Sequence, residues 1–111
     1  MFAFEIPGLR FSMPAGAAIE RFRFVSVNAD SAGITATADT PVVGVSMNKV
    51  ANNEVLEIAD GIVMVEAGAA VAAGSAVASD ANGKAIVATD KSVGVALTAA
   101  SSAGDIISVK M

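Results

Sequence analysis

The same order of short motifs occurs twice along this chain of 111 residues. The matches, in order, are 15–19 with 67–71, Gly33 with Gly83, 43–45 with 93–95 and 54–58 with 105–109, at offsets of 52, 50, 50 and 51 residues. Because the matches are collinear, the sequence predicts two similar halves, at about 15–60 and 67–111. A unit of about 50 residues has only a marginal core, so we expect both halves to share a core within one domain, 15–111.

Short β-branched runs bounded by turn residues make up much of the chain. The clearest runs are 41–47, 61–66, 84–89 and 105–110. The Asp60-Gly61 and Asp80–Gly83 segments tolerate positive φ angles and predict tight hairpin turns. The sequence therefore predicts an all-β fold, a compact sandwich or barrel of about nine or ten short strands. A single short helix at 67–78 or 97–103 is the alternative for those two segments.

The first 14 residues lie outside the repeated unit and differ from it in composition. All five phenylalanines precede residue 25, and two prolines accompany an alternating Phe2 and Phe4. This pattern predicts an extended N-terminal arm, 1–14, rather than a core strand. The arm either folds back over its own domain or reaches a neighbouring subunit or larger partner by strand addition or aromatic anchors. In the second case, the candidate contact residues are Phe2, Phe4, Arg10 and Phe11.

The segment Arg21–Phe24 alternates between arginine and phenylalanine. In a strand, both arginines would lie on one face and both phenylalanines on the other. Val25 and Val27 continue the arginine face, so either both faces are partly covered or a bulge changes the register. The arginine face is either solvated or paired with an acidic partner surface. The second alternative adds Arg21 and Arg23 to the candidate contact residues.

The composition argues against most kinds of catalytic or ligand-binding site. The chain has no Cys and no His, which excludes thiolate chemistry, His-dependent triads and His-ligated metal sites. Seven basic against eleven acidic residues are the reverse of what a nucleic-acid-binding domain needs. We expect the acidic side chains of Glu54, Glu57, Asp60 and Glu66 to be solvated charges. The sequence therefore predicts no enzyme, no cofactor and no catalytic or metal-binding residue.

The hydrophobic content of 54% is high, yet the sequence does not predict a membrane segment. The most apolar stretch, 61–78, contains Glu66 and several glycines and consists largely of Ala, which contributes little to insertion. Glu5 and Pro7 interrupt any N-terminal signal sequence. Apolar residues in excess of what a core needs indicate a surface that is covered in an assembly.

The stretch 65–77 is similar to the valine and glycine rhythm of biotinyl and lipoyl carrier domains, and Lys110 stands near the chain end. The modified lysine of those domains lies on a hairpin between two strands, whereas Lys110 is next to last in the sequence. A carrier module is therefore an alternative rather than the first interpretation.

The second half carries a more specific pattern. Its motifs are 67–71, 73–77, 80–83, 93–97, 103–105 and 107–110. This order resembles the small capsid decoration (cement) proteins of tailed bacteriophages, which show a glycine-punctuated hairpin, a Val-Gly-Val-Ala strand and a Gly-Asp turn into a final strand. The resemblance covers 61–111 directly and the first half through the repeat.

The resemblance implies a structural virion protein without enzymatic activity. Such a protein would be made in the host cytoplasm and would bind the outer surface of the expanded head, often as a homotrimer. There it would clamp neighbouring copies of the major capsid protein. The alternative is another virion part, such as a tail-tube or fibre-base component. The Phe-rich start does not match a motif of that family, so the contact candidates named above depend on the arm interpretation alone.

Overall fold

A computed structural model describes residues 3–38 and 40–111, and the regular elements in them are β-strands. The strands are β1 (Ile6–Pro14), β2 (Phe24–Val27), β3 (Gly33–Thr35), β4 (Gly44–Ser46), β5 (Val55–Glu66), β6 (Ala76–Ser79), β7 (Ala85–Val87), β8 (Gly94–Ala96) and β9 (Ile106–Lys110). Nine strands and no helix within the described residues confirm the predicted all-β fold. The helix alternatives at 67–78 and 97–103 are wrong, because both segments consist of loops, bridges and part of β6.

The long strand β5 joins two curled halves of one antiparallel sheet. The strand order is β3-β2-β4-β5-β9-β8-β6-β7, and β1 pairs with β5 beside this path. At Ala59, β5 pairs with β1 and β4, and at Ile62 it pairs with β1 and β9. The first half therefore consists of β1 to β4 with the start of β5, and the second half consists of the end of β5 with β6 to β9.

The two halves share one pattern of pairing. β2 pairs with β3 and β4 as β6 pairs with β7 and β8, at offsets of 50 to 52 residues. Each half also contains one isolated parallel β-bridge, which brings the two ends of its sheet together. The bridge joins Ala15 to Gly33 in the first half and Ala67 to Ala85 in the second. In this register Gly33 corresponds to Ala85, and not to Gly83 as the sequence match proposes. The duplication of the sequence itself stays a prediction.

In the first half, β1 occupies the position in the sheet that the end of β5 occupies in the second half. Pro14 pairs with Val55 as Glu66 pairs with Ile106. β1 thus lies along its own chain and pairs in the repeated pattern, although the sequence motifs place 1–14 outside it. The reach of this segment onto a neighbouring subunit stays a prediction, as does the division of the chain into an arm and one domain.

The Asp60-Gly61 pair does not form the predicted hairpin turn, because it lies inside β5, opposite a β-bulge in β1. Gly61 has a φ of 96°, and a side chain there would clash with the backbone nitrogen of Gly8. Opposite it β1 shifts register, and the Leu9 amide donates a hydrogen bond of 3.0 Å to Asp60 Oδ1. Residue types that favour a tight turn also favour a bulge when strands pair on both sides.

The predicted turn at Asp80–Gly83 is the hairpin between β6 and β7. Asp80 Oδ1 accepts hydrogen bonds from the amides of Asn82 and Lys84, at 2.8 and 2.9 Å. Gly83 has a φ of 74°, which glycine adopts without strain. Side-chain hydrogen bonds within the turn therefore stabilise this hairpin.

Each half has its own group of buried aliphatic side chains. The first group is Ala15, Ile19, Val25, Val50, Leu56 and Ile58, with Phe11, Met13 and Val43 packed against it. The second includes Val63, Val65, Val71, Val77, Ile107 and Val109. Phe24 belongs to the first half by sequence but is fully buried in the second group. Its ring therefore helps to hold the halves together.

We expect Phe24→Ala to lower the free energy of unfolding by about 3–5 kcal/mol, because it leaves a cavity where the two halves meet. Urea titration followed by circular dichroism measures this change. The matched control is Val55→Ala on an exposed side chain, for which we expect a change within about 0.5 kcal/mol. Equal effects of the two substitutions would contradict the role of Phe24.

Candidate functional site

The acidic side chains, expected to be solvated, mostly serve the fold. Glu54 accepts a hydrogen bond from the Ala51 amide, Asp60 accepts one from Leu9, and Glu66 lies between two cations. Within residues 3–38 and 40–111, no group of three or more acidic side chains is placed to hold a metal ion. The described part of the chain also holds no helix long and apolar enough to cross a bilayer. The candidate site is therefore a surface.

An exposed apolar surface runs along the start of the chain. Phe4, Ile6 and Leu9, here called the β1 surface, are 39, 65 and 58% exposed. The Ser108 hydroxyl holds the Phe4 backbone, accepting from its amide and donating to its carbonyl oxygen. The surface is therefore apolar, and its start at Phe4 is fixed against β9.

The structure separates the four contact candidates of the arm. Phe2 lies outside the described residues. Phe4 and Arg10 are exposed on or beside β1, whereas Phe11 is half-buried against the first core. The sequence analysis missed Ile6 and Leu9, the most exposed apolar residues of this segment. A signal for Ile6 was present, since it continues the alternation of Phe2 and Phe4.

The expected alternation at Arg21–Phe24 is wrong, because the strand begins only at Phe24. Phe22 has a φ of 66°, and its carbonyl oxygen accepts a hydrogen bond of 3.0 Å from the Glu66 amide. The backbone therefore turns here, and the two arginines do not share a strand face. The Arg21 guanidinium is exposed and lies 4.5 Å from the centre of the Phe22 ring. Arg23 points into the molecule.

Arg23, Glu66 and Lys84 form an ion cluster that joins the two halves. Arg23 Nη1 lies 3.1 Å from Glu66 Oε1, and Lys84 Nζ lies 3.1 Å from Glu66 Oε2. Desolvation by burial works to raise the pKa of Glu66, but the hydrogen bonds and charges of Lys84 and Arg23 outweigh it. The pKa of Glu66 is therefore below its ordinary value. Arg23 has an internal partner, and its contact with an acidic partner stays a prediction.

We expect Glu66→Gln to destabilise the protein by about 1–2 kcal/mol at pH 7, because both cations lose their charged partner. A lowered folded pKa stabilises the fold above the unfolded pKa, near 4.5, and this stabilisation is lost as the pH falls through the folded pKa. The difference between the two proteins should therefore shrink below about pH 4. Urea unfolding at pH 7 and pH 3 measures it.

The control for this prediction is Glu20→Gln. Glu20 pairs with Lys49 at 3.5 Å, but both side chains are more than half exposed. We expect its substitution to change stability little at either pH, because exposed ion pairs are worth less than about 1 kcal/mol. A pH dependence as large as that of Glu66→Gln would contradict the role given to the ion cluster.

A shallow cleft of about 490 Å³ lies between the loop before β4 and the loop from β7 to β8. Val42, Ile86 and Val93 are among its lining residues, together with Asp90 and Lys91. The charged pair lies in exposed loop, and the hydroxyl of Ser79, a buried polar residue among the described lining residues, already donates to the Asp80 carbonyl oxygen. The β1 surface is therefore the better candidate for a binding site.

Comparisons with known proteins point in one direction. A family model described as phage cement protein matches residues 5–111. No curated protein sequence matches the chain. Among solved structures, the head fiber gp8.5 N base in bacteriophage phi29 is similar, with a TM-score of 0.79 and 17% identity over 93% of this chain and 92% of that chain. At that identity the likeness shows a shared fold.

Proposed function

Because the chain belongs to the phage cement protein family, we propose that it binds the outer surface of the expanded phage capsid and stabilises contacts between major capsid subunits. It is a structural protein of a phage virion. The family match over 5–111 carries this proposal, and it confirms the resemblance found in the second half of the sequence. The family is structural and is not a known class of enzyme.

The β1 surface has the properties expected of a capsid-binding segment. Its apolar side chains stand on a strand that is hydrogen-bonded on one side to β5, and Ser108 fixes its start. Within the described residues β1 pairs with no strand but β5, so much of its other edge is open to strand addition. Rigid apolar anchors lose little entropy on binding, which favours contact with a flat protein surface.

Phe4, Ile6, Leu9 and Arg10 form the proposed contact, with Phe2 and Arg21 as further candidates. A modest affinity per copy is enough, because many copies acting on one shell add their effects. Phe11 and Arg23 act indirectly, the first by packing under β1 and the second by holding the halves together.

The proposed assembly is a homotrimer on the capsid, as the resemblance implies. The similarity to a head fiber base supports a place on the head rather than in a tail tube, and a fibre-base component is the part of the alternative that it favours. The carrier alternative lacks support, because Lys110 lies in β9 and pairs with Ile62 and Val95 rather than standing on a hairpin turn.

Co-sedimentation with emptied, expanded heads of the cognate phage tests the proposed function. We expect saturable binding to expanded heads and little binding to procapsids. The number of copies bound at saturation reports the symmetry position. Absence of binding to both kinds of particle would overturn the cement function.

The Phe4→Ala/Leu9→Ala variant tests the β1 surface in the same assay. We expect its affinity for heads to fall at least about tenfold, since apolar anchors at an interface each contribute more than 1 kcal/mol. The control is Ala103→Asp in the exposed loop before β9, which should bind like the unmodified protein. Unchanged binding by a folded double variant would remove the β1 surface and leave the cement function standing.

A further inference from the structure

The two halves of the chain contact each other through a hairpin tip and an outer sheet face. The tip of the second half, Asp80–Lys84, reaches the first half at Phe24, whose amide donates a hydrogen bond of 2.8 Å to the Gly83 carbonyl. A Cβ placed on Gly83 would lie 2.8 Å from Thr35 Cγ2 and 2.9 Å from the Phe24 carbonyl oxygen. The region that receives this tip, here called the outer face, comprises Phe24 and Val45, which pair with each other, and the neighbouring Thr35, which pairs with Val25 and lies on the other side of β2.

An equivalent outer face exists on the second half and is exposed. Phe24 pairs with Val45 as Ala76 pairs with Val95. Val25 pairs with Thr35 as Val77 pairs with Val87. The residues of the second half that correspond to the first outer face are therefore Ala76, Val87 and Val95. Phe24 and Val45 are fully buried, whereas Val87 and Val95 are 45 and 43% exposed. In the described structure this second outer face has no hairpin tip against it.

An equivalent hairpin tip exists on the first half and is also exposed. In this first tip, Asn28–Ala32, Asn28 Oδ1 accepts hydrogen bonds from the amides of Asp30 and Ala32, as Asp80 does in the second tip. Ser31 has a φ of 60°, close to the 74° of Gly83. The two tips therefore have the same backbone shape, and Ser31 stands exposed where Gly83 is buried.

We propose that this protein binds a second copy of itself head to tail, with the first tip of one copy on the second outer face of its neighbour. The internal contact shows that a tip of this shape fits a face of this pairing. A second copy is the partner that supplies the matching tip, so Ser31 would meet Ala76 and Val87 of the neighbour. The proposal rests on this correspondence and holds whether or not the chain binds a capsid.

The proposed contact between copies differs from the contact between the halves of one chain in its charges and in how closely the tip approaches the face. Arg23, Glu66 and Lys84 correspond to Ser75, Pro14 and Ala32, so the ion cluster is replaced by small, uncharged side chains. The Cβ of Ser31 also keeps the tip farther from the face than Gly83 allows. The association therefore lacks the internal ion pairs, with Lys110 beside Val95 as a charged residue of the face, and it is reversible. Because its two surfaces differ, it leads to a closed ring or to an open chain of copies.

Disulfide trapping tests the contact directly, since the chain has no Cys of its own. Ser31→Cys and Val87→Cys proteins, mixed in equal amounts under mild oxidation, should form a mixed dimer in several-fold excess over either homodimer. The control mixture combines Ser31→Cys with Ser102→Cys, an exposed serine in the loop before β9. A mixed-dimer yield equal to this control, or a dominant Val87→Cys homodimer, would overturn the proposal.

Sedimentation equilibrium of substituted proteins gives an independent measurement. We expect Ser31→Gly to strengthen self-association, because the tip can approach more closely. We expect Val87→Asp to weaken it by about tenfold, equivalent to about 1.4 kcal/mol, because a carboxylate is desolvated on the face. Circular dichroism verifies that the fold is unchanged. Opposite or absent shifts in both folded variants would count against head-to-tail binding, whatever the capsid assay shows.

Discussion

One strand serves two cores here because successive side chains along β5 point to opposite faces, and each face is buried in a different core. On one face Leu56 and Ile58 point into the first core, and on the other face Ala59, Val63 and Val65 belong to the second. β5 therefore sets the position of both halves: β4 pairs with its first part, β9 pairs with its last part, and β1 spans the point between them.

The halves share a backbone pattern but have different surfaces. The first half has Phe24 and Arg23 at the positions where the second half has Ala76 and Ser75. The side chains of Phe24 and Arg23 contact the second half. A large ring and a cation therefore define the internal contact, whereas small residues define the equivalent outward face. Different side chains on one fold thus yield a permanent contact inside the chain and a surface suited to a reversible one.

The local sequence was enough to predict the all-β class and the Asp80–Gly83 hairpin. The hairpin could be predicted because side-chain hydrogen bonds within the turn stabilise it. The local sequence was not enough at Asp60-Gly61 or at Phe22, whose conformations depend on strands distant in sequence. The β1 surface was predicted in part: Phe4 followed from the composition of the first residues, whereas the exposure of Leu9 depends on the register shift opposite Asp60. Pairing with a distant strand leaves no mark in the local sequence.

The clasp between Ser108 and the Phe4 backbone also determines how the two ends of the chain leave the fold. The strands near the ends, β1 and β9, meet β5 at the same residue, Ile62. Domains whose ends lie close together tolerate circular permutation and fusion. A peptide or protein joined to either end would therefore emerge from the same region of the surface. One attachment geometry would serve for cargo at the N-terminus and at the C-terminus alike.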